Sequence, residues 1–185
     1  NLRSMHGEVL LDGAAGNQFL QSDAGAIKLR NSEGEISLVS SAGDVFLEKN
    51  SGYVQVKSIA GDVFIDQNHG ETRIGTVSGN ILANKISGSF ICATTSGEID
   101  VSSDHIRQGV YMETISGNIF MAINEQQGFD IEAGTHQLDV NQLPGTYITR
   151  RSSDRGTTNL KLGEGGIPVS ISTISGIVQI KPKGD

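Results

Sequence analysis

The chain of 185 residues contains no tryptophan, and aromatic residues make up 5% of it. A large globular core usually draws on more big rings, so the core expected here is thin and built from Val, Ile and Leu. One cysteine, Cys92, leaves no partner for an internal disulfide and says nothing about compartment. No run of eighteen apolar residues exists, so no membrane-spanning helix is expected in this fragment. Positive charge is scarce. Lys and Arg number 14 against 21 Asp and Glu, the net charge is −7, and no basic stripe is visible. Nucleic acid is therefore not an expected partner. The chain starts at Asn1 without Met. It is expected to be a processed or trimmed fragment whose signal peptide or anchor lies outside it.

Glycine, by contrast, is abundant and regular. Eleven of the 24 glycines, from Gly7 to Gly97, stand nine residues apart. Aligned on them, the second following residue is usually apolar (Val9, Ile27, Val45, Val63, Ile81, Ile99), and so is the fourth (Leu11, Leu29, Leu47, Ile65, Val101). Apolar residues two apart describe a strand with one buried face. The remaining residues are mostly Ser, Asn, Asp, Lys and Gly, which is turn chemistry. The glycine is needed either for positive φ or for close approach of neighbouring coils. One such strand cannot bury its apolar face alone, but a stack of them can.

The repeat unit is two strands, because TVSGNI (76–81) recurs as TTSGEI (94–99), eighteen residues on, and then as TISGNI (114–119). A three-faced coil of about 27 residues is the alternative. Past Gly97 the beat loosens, with a small bulge expected at 103–107. FDIEA (129–133) and QLDV (137–140) supply two more strands, and PVSISTISGIVQI (168–180) returns to the repeat. The expected fold is all-β, a right-handed parallel β-solenoid with two short strands per 18-residue coil. It forms a single domain over 1–185, with a long irregular excursion at 141–159. About ten coils at about 4.8 Å would make a rod of roughly 50 Å. The closing KPKGD is expected to blunt the last exposed edge.

The units TVSGNI, TTSGEI, TISGNI and TISGIV, with the closing GGIPVSISTISGIVQI and with FDIEA before a long loop, resemble a bacterial adhesin-like β-strand-repeat family, a domain of unknown function. The resemblance is good over about 40–181 and looser before that. It implies an extracytoplasmic module, periplasmic or at the cell surface, anchored through a segment outside this chain. It implies no catalytic residues and no cofactor.

Several constellations invite chemistry. On the two-strand coil the residues after alternate glycines, Glu8, Ala26, Asp44, Asp62, Asn80 and Glu98, stack at about 4.8 Å per rung, and a cation could relieve repulsion among the carboxylates. The bland reading is a solvated turn ladder softened by Lys49, Lys57 and Lys85. The calcium β-roll motif GGxGxD is absent, and no metal is expected. The four histidines, His6, His69, His105 and His136, share no metal-binding spacing, and Cys92 occupies an inward slot. Asp44, Glu48, Asp62 and Asp66 cluster on one side, as carboxylates do in carbohydrate-active β-helix enzymes. Nothing in the sequence separates them from turn acids, so the chain is not expected to be an enzyme.

The sharpest feature is the residue between the two inward positions. If Val45 and Leu47 point in, Phe46 points out. Phe46, Phe64 and Leu82 then form an outward apolar ribbon, extended by Leu10 and Phe120. Such ribbons are usually covered, either by a partner or a second copy, or by the 141–159 excursion folding back. That excursion carries Tyr147, Arg150, Arg151 and Arg155, a cluster able to meet anionic sugars or lipid headgroups, or simply a solvated loop. The function expected is therefore a non-catalytic, adhesin-like surface module that binds a protein or glycan through its outer face. The alternatives are a carbohydrate-active β-helix enzyme and a spike or filament segment that oligomerises.

Overall fold

The computed structural model describes residues 1–154 and 156–184, without the side chains of residues 149–154. Its strands are β1 (Leu2–Ser4), β2 (Val9–Asp12), β3 (Gln18–Ser22), β4 (Ile27–Arg30), β5 (Glu33–Ser40), β6 (Val45–Ala60), β7 (Val63–Ser78) and β8 (Ile81–Ser96). They continue with β9 (Ile99–Ser116), β10 (Ile119–Ile123), β11 (Phe129–Gly134), β12 (Gln137–Asp139), β13 (Ile148–Asp154), β14 (Thr157–Leu162), β15 (Ile167–Ser175) and β16 (Ile177–Pro182). No helix is present among the described residues. The parallel strands stack as a β-solenoid of about 7 turns with roughly 18 residues per turn.

Each coil has two faces. One face stacks β2, β4, the first halves of β6 to β9, β10, β16 and β12. The other stacks β1, β3, β5, the second halves of β6 to β9, β15, β11, β14 and β13. Val45 pairs with Val63 and Val63 with Ile81, a register of 18 that favours the two-faced coil over the three-faced one. Val9, Ile27, Val45, Val63, Ile81, Ile99, Ile119 and Val178 make one inward ladder, every member buried. Cys92 sits in an inward ladder of the other face, between Ile74 and Met112, fully buried, and burial pushes its thiol pKa well above the ordinary range.

The two corners of the coil are built differently. At one, Asn31, between β4 and β5, and Lys49, Gln67 and Lys85, inside β6, β7 and β8, carry φ of 48°, 53°, 59° and 52° and turn the chain from face to face. At the other stand Gly25, Gly43, Gly61, Gly79, Gly97, Gly117 and Gly176, each against its predecessor. A Cβ on Gly43 would lie 2.2 Å from the Gly25 carbonyl oxygen, and one on Gly79 would lie 2.1 Å from that of Gly61. Close approach of stacked backbones therefore sets this beat. The expected bulge lies inside β9, where register steps from 18 (Ile81 with Ile99) to 20 (Phe90 with Val110) and Ile106 tucks into the core.

The C-terminal third departs from simple winding. After β10 the chain skips one rung and forms β11 and β12. The vacated rung is filled last, by β15 and β16. Val178 pairs with Ile119 on one side and with Leu138 on the other, and Val169 lies between Val110 and Ile131. The KPKGD end does not close the stack: β16 lies between β10 and β12 over Val178 and Gln179, Lys181 and Pro182 pair with β10 alone, the Lys183 N–H donates to the Ile123 carbonyl, and Lys183 pairs with Asp104.

Residues 141–159 are not wholly irregular either. They contain β13 and the start of β14, an antiparallel pair laid on β11. Continuous winding through β10 makes about 7 turns where ten coils were expected; β16 and β12 bring the first face to nine strands among the described residues, and the rest of 124–166 goes into this hairpin.

Candidate binding surface

The outward row of the first face runs Leu10, Lys28, Phe46, Phe64, Leu82, Asp100 and Phe120, each paired with the next in parallel register. In-register stacking forces neighbouring side chains of this row into contact. Phe46 and Phe64 stack with ring centroids 4.9 Å apart and planes 7° from parallel. Lys28 Nζ lies 5.9 Å from the Phe46 centroid, and Leu82 follows Phe64 one rung on. Both ring faces are thereby occupied, and the rings offer their edges outward. Phe46, Phe64 and Leu82 are half-buried, whereas Leu10 is 57% exposed. Lys28 separates Leu10 from the ribbon, and Asp100 separates Phe120 from it.

The ribbon floors a groove of about 520 Å³ that is also lined by Arg30, Glu48, Asp66 and Asn84. Its rim is charged in an ordered way. Lys28 and Arg30 stand at one end, with Lys28 bridging to Glu8 at 2.7 Å and Arg30 to Glu48 at 3.3 Å. Asp66, Asp100 and Glu98 stand toward the other end.

The excursion does not cover this groove. Its β13 and β14 extend the second face beyond β11. Tyr147 packs against the core and donates its hydroxyl to the Gln127 carbonyl, while its own carbonyl accepts the Gly163 N–H. Burial, and then the charge of Glu125, hold its pKa above the ordinary tyrosine value. Tyr147 is thus not brought together with the ribbon. The backbones of Arg150 and Arg151 lie on β13, paired with Lys161 and Leu160, but their side chains lie outside what is described. Arg155 lies outside the described residues.

The stacked acids have a structural partner. Asp44 Oδ1 accepts the Asp62 N–H at 2.9 Å, Asp62 Oδ1 accepts the Asn80 N–H at 2.7 Å, and Asn80 Oδ1 accepts the Glu98 N–H at 2.9 Å. Asn118 does the same for Ile177, across the deferred rung, at 3.0 Å. Each side chain ties its rung to the next through a backbone donor. Glu48 is held by Arg30 and Lys49. His69 Nδ1 meets Ser87 Oγ at 2.9 Å on the neighbouring rung, and His6, His105 and His136 are exposed. Among the described residues no group of three or more His, Cys, Asp or Glu could hold a metal ion.

One apolar feature escapes the glycine alignment. The variable residue of T-x-S-G and its equivalents forms an exposed corner ridge, with Ile59 at 60%, Val77 at 52%, Ile115 at 48% and Ile174 at 70% exposure, interrupted by the polar Thr95 between Val77 and Ile115. The signal was present in the motif itself, since the x position is β-branched in every such unit. The Thr of the same motif faces inward and bonds back one rung, as Thr173 Oγ1 does to the Gly117 carbonyl at 3.0 Å.

A family model, Toastrack DUF4097, matches residues 50–181. No curated protein and no solved structure gives a significant match.

Proposed function

Because the chain belongs to the Toastrack DUF4097 family, a domain of unknown function, its role must be read from its own surface, and we propose that it is a non-catalytic, adhesin-like binding module of the cell envelope. The single observation that carries this reading is the Phe46–Phe64–Leu82 groove, an apolar strip held outward on a rigid sheet and flanked by charge. A rod whose inner ladders hold the fold leaves its exterior free for recognition. The occupied ring faces favour a protein partner over a glycan, because sugars stack on open aromatic faces whereas apolar side chains pack against ring edges. The roles of Asp44, Asp62 and Glu48 in tying rungs and ion pairs support a non-catalytic site. Placement outside the cytoplasm rests on the likeness of the T-x-S-G units to adhesin-like repeats.

The test is site-specific photo-crosslinking in the producing cell. A benzophenone amino acid at position 64 should yield a protein adduct that the same probe at Lys57, exposed on the other face, does not. Absence of an adduct at position 64, or equal yields at both positions, would overturn the reading.

A further inference from the structure

We infer that the partner seated on this ribbon is a second copy of the same chain, packed face to face with its rod antiparallel about a two-fold axis through Phe64. The inference rests on the reading of the groove as a docking surface. What carries it is the order of the outward row, Leu10, Lys28, Phe46, Phe64, Leu82, Asp100, Phe120. Reversed about Phe64, this row complements itself at every rung. Phe64 meets its own equivalent, Phe46 meets Leu82, Lys28 meets Asp100, and Leu10 meets Phe120. A two-fold interface requires this kind of self-complementary surface, in which residue i contacts j and j contacts i.

The charges choose between the two possible orientations. With the rods parallel, Lys28 would face Lys28 and Asp100 would face Asp100. Reversing one rod turns both like pairs into opposite pairs, placed on either side of an apolar centre. Lys28 and Asp100 point outward from the sheet and stay solvent-accessible in the single chain. The match extends over seven rungs. At about 4.8 Å per rung and about 3.3 Å per residue along short strands, the footprint is roughly 29 by 15 Å. That is about half the area per partner of a standard interface, so the dimer is weak and reversible.

Two acids oppose the arrangement. Asp62 and Asp66 flank Phe64 on its own rung, and each so faces its own equivalent across the two-fold axis.

Sedimentation equilibrium of the purified chain over a range of concentrations tests the inference. The wild type should show a monomer–dimer equilibrium. Lys28→Asp and Asp100→Lys should each weaken it about tenfold or more, since each creates two like-charge contacts. An equimolar mixture of the two variants should recover dimer to near the wild-type level, because the aspartate introduced into one variant then meets the lysine introduced into the other, and the native Asp100 of the first meets the native Lys28 of the second. Asp66→Asn should tighten the dimer. Thermal melts confirm that each variant folds, and Asp100→Lys and Asp66→Asn suffice if Lys28→Asp, which loses its Glu8 bridge, does not. A chain that stays monomeric, or a dimer indifferent to these variants, overturns self-docking. In that event an adduct at position 64 with a different protein still sustains the binding-module reading, and absence of any adduct there sinks both.

Discussion

Ile119 pairs in parallel with Val178, and it is Val178, not Ile119, that reaches Leu138. The C-terminal segment is therefore an interior rung whose removal would separate two parts of the stack. Deleting residues 167–185 strips the core of Val169, Ile171, Val178 and Ile180, all buried. At about 1.5–3 kcal/mol for each aliphatic side chain, the loss is comparable to the whole stability of an ordinary domain. The truncated chain is expected to lose hydrogen-exchange protection in β10, β11 and β14, while β6 to β8 keep theirs for longest. Unchanged protection in β11 would contradict the topology.

The glycine ladder predicts a sharp contrast between two neighbours in sequence. Gly79→Ala places a methyl group 2.1 Å from the Gly61 carbonyl oxygen, so the rungs must separate. A loss of at least about 2–3 kcal/mol is expected in urea unfolding. Gly75 has nothing within 4 Å of its absent Cβ and no positive φ. Gly75→Ala should be neutral or stabilise by up to about 1 kcal/mol. Equal effects at the two positions would contradict the close approach of stacked backbones at Gly79.

The acids on the first face divide in the same way. Asp62→Ala removes an acceptor from the Asn80 N–H and should cost about 1–2 kcal/mol. Asp66→Ala, on the groove rim, should change stability by less than about 0.5 kcal/mol. Chemical denaturation of the two variants side by side checks this.

Much of the architecture was legible because the repeat encodes which residues share a rung. Gly43 with Gly61, Val45 with Val63 and Phe46 with Phe64 all follow from one interval of eighteen. The order of the rungs in space was not legible. PVSISTISGIVQI has the right inward residues for any position in the stack, and parallel pairing with β9 and β10 satisfies it as well as pairing with β12 alone. A short strand at 147–149 can be read from the sequence, but the antiparallel β13–β14 pairing cannot, because Ile148–Asp154 carries no repeat glycine and such pairing needs none. The left-handed corner was hidden for another reason. Lys49, Gln67 and Lys85 adopt positive φ without being residues that favour it, so only their common interval marks them. In the groove, the ribbon could be read from alternation alone, but the occupied ring faces and the reversed charge order emerge only when the rungs are stacked.

The central claim is that the fold does not depend on Phe46 and Phe64, which are free to serve recognition. Equilibrium urea unfolding of the double variant Phe46→Ser, Phe64→Ser tests it most directly. The rings are half-buried and lose one stacking contact, so a cost of about 2–3 kcal/mol and a native circular dichroism spectrum are predicted. A loss of about 6 kcal/mol or more, the size expected for two core phenylalanines such as the fully buried Phe90, or outright unfolding, would show that the ribbon belongs to the core.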